Sequence, residues 1–271
     1  MKTNLIGISG KIGSGKDTMG NIIQMLTQGI DSNTQIIEYV NGANITGFDY
    51  QIKKYADKLK DIVCLLIGCT REQLEDREFK EKELGEEWWY YKFDDIMLSI
   101  SDRKLFIQTV NSSVFSPLDE AEVDTYIVKL TPRKLLQLLG TEAGRQIIHP
   151  NVWVNALFAD YVCDNCGQQE CPTGEEDTGQ IIDSSFPNWI ITDVRFPNEI
   201  KAIQDRGGIV IRVNRDDFVT NSKTNERFKV KVHKTEHPSE TALDDYEFDH
   251  VIENDGSIED LIDKVKQLNL I

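Results

Sequence analysis

No stretch of this chain approaches the roughly 18 uninterrupted apolar residues of a membrane-spanning helix, and its opening residues lack the apolar core and small-residue cleavage site of a secretory signal. A cytoplasmic protein with no membrane role is therefore expected. Cysteine is sparse: five residues, an odd number in 271, argue against a disulfide framework and for reduced thiols. Basic residues are also in deficit. Thirty Lys and Arg stand against 46 Asp and Glu, a formal net charge of −16, which excludes non-specific nucleic-acid binding as the main activity. A small anionic ligand would instead need a local basic pocket. What the chain does have is apolar content, 39% of its residues, enough to bury one sizeable core. No internal repeat is visible.

The order of elements points to an α/β fold. Leu5 to Ser9 reads as a short buried strand, and Gly15 to Leu26 follows with Met19, Ile22, Ile23 and Leu26 at helical spacing. Ile36 to Val40 has the length of a second strand. From Ala56 to Gly68, the residues Leu59, Ile62, Val63, Leu66 and Ile67 mark the inner face of a helix that Gly68 stops. Residues 71 to 95 are so charged that a solvated segment is expected, and 105 to 130 suggests a hairpin-like insertion.

Thr131 and Pro132 form a helix start, with Gly140 and Gly144 as points where that helix could kink or divide. Asn151 to Val162 is a further helix, and 163 to 187 reads as a polar insert. Then come a strand, Trp189 to Thr192, a helix from Pro197 to Arg206, strands at Ile209 to Val213 and Phe248 to Ile252, and a helix capped by Ser257. Apolar strands separated by helices indicate a parallel sheet covered on both faces. The expected organisation is one domain, with an inserted substrate-binding region over about 53–150 and a lid over about 214–240.

The sharpest motif is "GKIGSGKDT", residues 10 to 18. Gly10, four intervening residues, then Gly15 and Lys16 give the spacing of a phosphate-binding loop, and it lies between an expected strand and an expected helix. Gly10, Gly13, Ser14 and Gly15 leave backbone N–H groups free to wrap phosphate oxygens, Lys16 reaches the outer phosphates, and the helix adds its positive end. Asp17 stands where Ser or Thr usually touches Mg²⁺. A carboxylate is also a hard oxygen ligand, so Asp17 either holds the ion or caps the helix, and Thr18 supplies a further hydroxyl. Asp193 ends an apolar strand, the position from which a carboxylate meets Mg²⁺ at the edge of a parallel sheet or caps the next turn.

The positive stretch from Lys223 to Lys234, with Arg215 at its base, suggests a lid over nucleotide phosphates or a solvated loop. Asn254 and Gly256 follow the last strand, where a loop against adenine is expected from topology. Cys163, Cys166 and Cys171 supply one CxxC pair and a third thiol. That is part of a structural zinc site without its fourth ligand, for which His149 is the nearest candidate.

The loop, followed by "YADKLKD", "TPRKLLQLLGTE", "ITDVRFPNE" and "HPSETALDDYEFDHVIENDGS", resembles the deoxynucleoside monophosphate kinases of tailed bacteriophages. The matching blocks cover about half the chain, and lysine followed by aspartate in the loop is usual in that family. The resemblance implies ATP- and Mg²⁺-dependent phosphorylation of deoxynucleoside monophosphates in a host cytoplasm. It places Arg195 and Glu199 near the active centre, and Arg133, Gly140, Thr141 and Trp153 in the monophosphate pocket, Trp153 offering an aromatic face to a base.

Lys60 and Asp61 fall where substrate contacts are expected, although this chain has Lys58 where the family carries proline. Lys80 and Arg145 are weaker candidates. Arg133 and Arg145 would lie about 18 Å apart on one straight helix, too far to clamp a single phosphate, unless Gly140 breaks it. Two other readings stay open. One is another kinase with this loop, acting on phosphomevalonate or dephospho-coenzyme A; the other is an ATP-binding switch that phosphorylates nothing. The accepted bases and a homodimeric state are left open.

Overall fold

A computed structural model describes residues 3–114, 118–119, 122–169, 186–215, 218–220, 227–229, 241–268 and 270, with backbone alone at 218–220 and 227–229. In chain order its first elements are β1 (Leu5–Ser9), α1 (Lys16–Thr27), α2 (Asn33–Val40), β2 (Tyr50–Lys53), α3 (Ala56–Ile67), α4 (Arg71–Glu75) and α5 (Arg77–Glu81). Then come β3 (Trp89–Phe93), β4 (Ile96–Ser99), α6 (Arg103–Ser113), β5 (Ile127–Lys129), α7 (Pro132–Gln137), a π-helical stretch at Leu138–Ile148, and α8 (Val152–Phe158). The last are β6 (Asn188–Val194), α9 (Pro197–Gln204), β7 (Ile209–Asn214), β8 (Phe218–Thr220), β9 (Arg227–Lys229), β10 (His250–Glu253) and α10 (Ile258–Gln267). The chain divides into two units, residues 1–57 with 151–271 and residues 58–150.

The first unit is built on a five-stranded sheet of order β10-β7-β1-β6-β2, parallel throughout. Its central strand, LIGIS, is buried along its whole length, as a strand covered on both faces must be. One apolar cluster joins Ile6, Ile8, Ile22, Ile23 and Ile36 to Leu261, Ile262 and Val265, so α1, α2 and α10 cover one face. A second joins Leu5, Trp189, Ile191 and Val210 to Val154, Leu157, Phe158, Ile200 and Ile203, so α8 and α9 cover the other. Each fully buried Ile or Leu contributes about 1.5–3 kcal/mol through the hydrophobic effect, which fixes which face each helix presents. Ser257 and Asp260 form the capping box expected for the last helix. A short antiparallel ribbon of β8 and β9 stands apart from the sheet.

Residues 36 to 40 are not a strand. They are the body of α2, where Ile36 is fully buried while Ile37, Tyr39 and Val40 pack against the same cluster, so a helical face was mistaken for a continuous apolar run. The second strand of the unit is instead β2, whose polar "YQIK" carries little apolar signal.

In the second unit, β4-β3-β5 form an antiparallel sheet over a small core of Tyr91, Phe106, Val110 and Val123. The charged segment from 71 is ordered, contrary to expectation. Thr70 and Gln73 make a reciprocal capping box, and Asp76 accepts from the Phe79 N–H, so two five-residue helices start on strong caps in place of apolar faces. The insertion expected at 105 to 130 consists of α6 and β5, not a hairpin.

In α3 only Val63 is buried, whereas Ile62 and Leu66 are exposed, so periodicity overstated that helix's inner face. Gly68 does stop it, at φ 66°, with the Cys69 N–H reaching back to the Cys64 carbonyl. The helix from Pro132 does not break at Gly140; it changes from α to π winding at Leu138. Gly140 is a packing position, since a Cβ there would lie 2.9 Å from Leu59 Cδ2.

Candidate active site

Between β1 and α1 the loop turns on two glycines in left-handed conformation, Gly13 at φ 80° and Gly15 at φ 98°, which a side chain would strain. Gly10 is closed in as well: a Cβ would sit 2.4 Å from Ser14 Oγ and 2.5 Å from the Val213 carbonyl. Gly15 stands at the N-terminus of α1, and its carbonyl accepts the Met19 N–H. Lys16 is buried and its ammonium donates to the Lys11 carbonyl at 2.8 Å, folded over the loop. Ser14 is also buried, and its hydroxyl has no hydrogen-bond partner. A buried donor left unmatched inside a ring of amides is unfavourable by about 1–3 kcal/mol unless something binds there.

Asp17 Oδ1 accepts from the Thr192 hydroxyl at 2.9 Å and lies 2.7 Å from the Lys54 ammonium. Burial tends to raise its pKa, but Lys54, Thr192 and Lys16 outweigh that and hold it below the ordinary carboxylate value. Lys54 answers in kind: burial would lower its pKa, but Asp17, with Asp193 and Asp57, raises it.

Asp193 lies near the end of β6, as expected, and both its oxygens are engaged. Oδ1 accepts the Tyr55 N–H at 2.8 Å and Oδ2 the Ala56 N–H at 3.0 Å. Its carboxyl is enclosed, and that burial raises its pKa against the pull of the two N–H bonds and of Arg195. Asp193 therefore clamps the turn between β2 and α3.

The donor set fits a hard divalent ion at Asp17, whose carboxylate already carries one cation and has a hydroxyl beside it. Asp193 keeps only its remaining lone pairs for such an ion. Among the described residues no group of three or more His, Cys, Asp or Glu side chains gathers. Mg²⁺ commonly binds through one or two carboxylates plus substrate phosphates.

Arg195 follows β6, and its backbone N–H donates to Glu199 Oε2 at 2.7 Å; the Phe196 N–H adds a second bond to the same oxygen. Glu199 is buried, so this candidate substrate contact acts as a cap for α9 that fixes the backbone of Arg195. Trp153 is buried on α8, beside Val154, Leu157 and Phe158, which join the second apolar cluster. Thr18 lies in the first turn of α1.

Asn254 is buried and donates from its side-chain amide to the Ser14 carbonyl at 2.8 Å, so it staples the loop from the end of β10. Arg215 lines a cavity of about 580 Å³ with Lys11, Arg212, Asn214, Glu253 and Asp255. Arg212 was missed from sequence, although one arginine inside the buried strand "IVIRVN" is a signal. Its guanidinium donates to Ser9 Oγ at 3.1 Å and to Asp244 Oδ1 at 3.2 Å, and Asp244 also pairs with Lys11. Of the lid, Lys223, Lys231 and Lys234 lie outside the described residues.

The second unit holds the other candidate cations. Lys60 pairs with Glu75, and Arg133 with Glu81. Lys80 stands among them: partial burial and the charges of Lys60, Arg133 and Arg77 push its pKa down, against the pull of Glu75. Asp61 pairs with Arg71 at 2.8 Å. Thr141 and Arg145 both lie in the π-helical stretch, Arg145 in its last turn.

Cys163 and Cys166 lie on a tight turn in which the Gly167 N–H donates to the Cys163 carbonyl; Cys171 lies outside the described residues. No helix among the described residues is long and apolar enough to cross a membrane.

The family model described as deoxynucleotide monophosphate kinase matches residues 4–265. The chain is similar to a deoxynucleoside-5'-monophosphate kinase of Escherichia phage T5, 25% identical over 258 residues, covering 88% of this chain and 84% of that protein. It is also similar to a deoxynucleotide monophosphate kinase of Escherichia phage RB69, 26% identical over 136 residues, covering 50% of this chain and 43% of that protein.

Proposed function

This chain belongs to the deoxynucleotide monophosphate kinase family and phosphorylates deoxynucleoside monophosphates; we propose that ATP is the donor, with Mg²⁺, and that residues 10 to 18 hold its phosphates. The observation that supports this most directly is the loop's unmatched chemistry. The Ser14 hydroxyl is buried without a partner, and Lys16 is folded onto its own loop. A polyphosphate supplies acceptors for both, and the amides around Gly13 and Gly15 complete the cradle. The nucleoside part of ATP would occupy the cavity lined by Arg212, Asn214 and Arg215.

In the reaction an oxygen of the acceptor's phosphate bonds to the γ-phosphorus. The bond from that phosphorus to the β,γ-bridging oxygen breaks, and its electron pair leaves with ADP. Such a transfer needs positioning and positive charge more than a strong base. Lys16 neutralises charge on the transferring phosphoryl oxygens, and Asn254 keeps the loop from spreading. Arg195, fixed at its backbone by Glu199, adds a second cation. In the second unit, Lys60, Lys80 and Arg133 form a basic cluster suited to a monophosphate dianion. Lys80 gains most from such a ligand, because its surroundings disfavour its charge.

Asp17, with the Thr192 hydroxyl, would hold Mg²⁺, with Asp193 as the second candidate carboxylate. The ion would offset negative charge on the donor phosphates. The protein would work in the cytoplasm of the infected host.

The test is ADP production from ATP with dAMP, dGMP, dCMP and dTMP in turn, alongside phosphomevalonate and dephospho-coenzyme A. ADP release that depends on a deoxynucleoside monophosphate, and is abolished in Lys16→Ala, is the expected result. Release independent of any monophosphate would overturn the kinase reading. Full turnover in Lys16→Ala would overturn the placement of ATP.

A further inference from the structure

Lys54 is bound more tightly into the site than any motif suggests. Three successive backbone N–H groups at the end of β2 meet carboxylates: that of Lys54 donates to Asp57 Oδ2 at 3.1 Å, and those of Tyr55 and Ala56 donate to the two oxygens of Asp193. The backbone that carries Lys54 is thus pinned on both sides, and the long side chain is left to move. Its ammonium lies 2.7 Å from Asp17 Oδ1, next in sequence to Lys16 at the mouth of the phosphate loop. Asp17 is the carboxylate best placed for a divalent cation, and a lysine already neutralises it.

We propose that Lys54 is a second phosphate-contacting lysine of this kinase: with the site empty it neutralises Asp17 in the cation's place, and when a metal-bound nucleotide enters it exchanges that carboxylate for the polyphosphate oxygens. The inference rests on the reading that ATP lies on residues 10 to 18. Its physical basis is charge balance. Asp17, Asp193 and Asp57 surround Lys54, and a divalent ion arriving at Asp17 repels an ammonium at contact distance. Once displaced from Asp17, the ammonium rides on a flexible four-carbon stem whose backbone stays fixed, and the polyphosphate oxygens beside Lys16 would offer it new acceptors. The exchange offsets Asp17 before the nucleotide arrives and delivers one more positive charge as the phosphoryl group becomes mobile.

The experiment compares wild-type enzyme with Lys54→Met, and with Lys54→Gln should the methionine variant fail to fold. Calorimetric titration of ADP at stepped Mg²⁺ concentrations gives the Mg²⁺ level that half-saturates the complex, independently of turnover. Removing the competing ammonium should lower that level roughly tenfold, the size of effect one adjacent unlike charge exerts on a carboxylate. Steady-state assays should show kcat reduced roughly a hundredfold or more, as for loss of one charge-stabilising group, with KM for the monophosphate within about twofold.

An unchanged Mg²⁺ requirement, or kcat within twofold of wild type, would overturn the proposal and leave Lys54 a structural ion pair. Lys16→Ala separates that failure from failure of the underlying reading. If Lys16→Ala binds ADP like wild type, the nucleotide does not lie on the loop.

Discussion

Replacing Asp193 by asparagine separates its role as a clamp from any role toward a metal. The aspartate accepts one backbone N–H on each oxygen, from Tyr55 at 2.8 Å and from Ala56 at 3.0 Å. Asparagine has the same shape but one acceptor; its NH₂ group would face one of the two N–H donors. A hydrogen bond to a charged acceptor contributes about 1.5–3 kcal/mol, and stranding a donor adds about 1 kcal/mol or more.

Part of this is returned, because the enclosed carboxylate is itself unfavourable, as its raised pKa shows. The net loss should be about 2 kcal/mol, or about 4–8 °C in melting temperature at 2–4 °C per kcal/mol for a chain of this size. Thermal melts without nucleotide or Mg²⁺ measure it, and hydrogen exchange should show the Tyr55 and Ala56 amides losing protection. Asp193→Ala, which removes both bonds, should lose more. A Asp193→Asn variant that melts within a degree of wild type with both amides still protected would refute the clamp.

Three further outcomes follow from the same structure. Asn254→Ala removes the donor to the buried Ser14 carbonyl and should lower stability by about 1–3 kcal/mol; equilibrium binding should also show weaker ATP affinity, and unchanged affinity would separate Asn254 from the loop's shape. Gly20→Ala places a Cβ 2.6 Å from the Thr192 methyl carbon Cγ2, so α1 must shift, at a loss of about 1–3 kcal/mol in denaturant unfolding. Tyr161, packed against Phe158, Phe186 and Trp189, has its pKa pushed by burial from 10.0 up to about 12. The folded state therefore keeps a proton that the unfolded state releases. Tyr161 should contribute a fall in stability with rising pH of about 1.4 kcal/mol per unit across that window, so the slope in urea unfolding at pH 9 to 12 should be shallower in Tyr161→Phe than in wild type.

Elements whose apolar residues match their surroundings were legible. LIGIS, the apolar face of α1 and the Ser257 box all read directly, because burial on a parallel sheet leaves a strong pattern. The loop was legible for another reason: positive φ at Gly13 and Gly15 leaves few residues to choose from. Where caps decide, the pattern was silent. Arg71 to Glu81 has a sequence suited to a solvated segment, and the caps of Thr70, Gln73 and Asp76, with the single buried Leu74, make it helical.

The most consequential miss was Lys54. With the second strand expected at Ile36 to Val40, the end of the true strand β2 drew no scrutiny, and a lysine among three lysines and a tyrosine carries no periodic signal. Glu199 was legible as an important residue and illegible as to how, since a carboxylate that caps its own helix and one that meets a ligand look the same in sequence.

The strand order has a further consequence for how the chain is made. β1 leaves the ribosome first, yet both its neighbours, β6 and β7, begin after residue 187. At about 5–20 residues per second the nascent strand waits on the order of 10–40 s for partners. The antiparallel sheet of β3, β4 and β5 is already complete in that interval. A polypeptide released early thus carries a finished inner module and an unpaired, largely apolar leading strand. Until the final third is translated, the loop at residues 10 to 18 has no sheet to hold it.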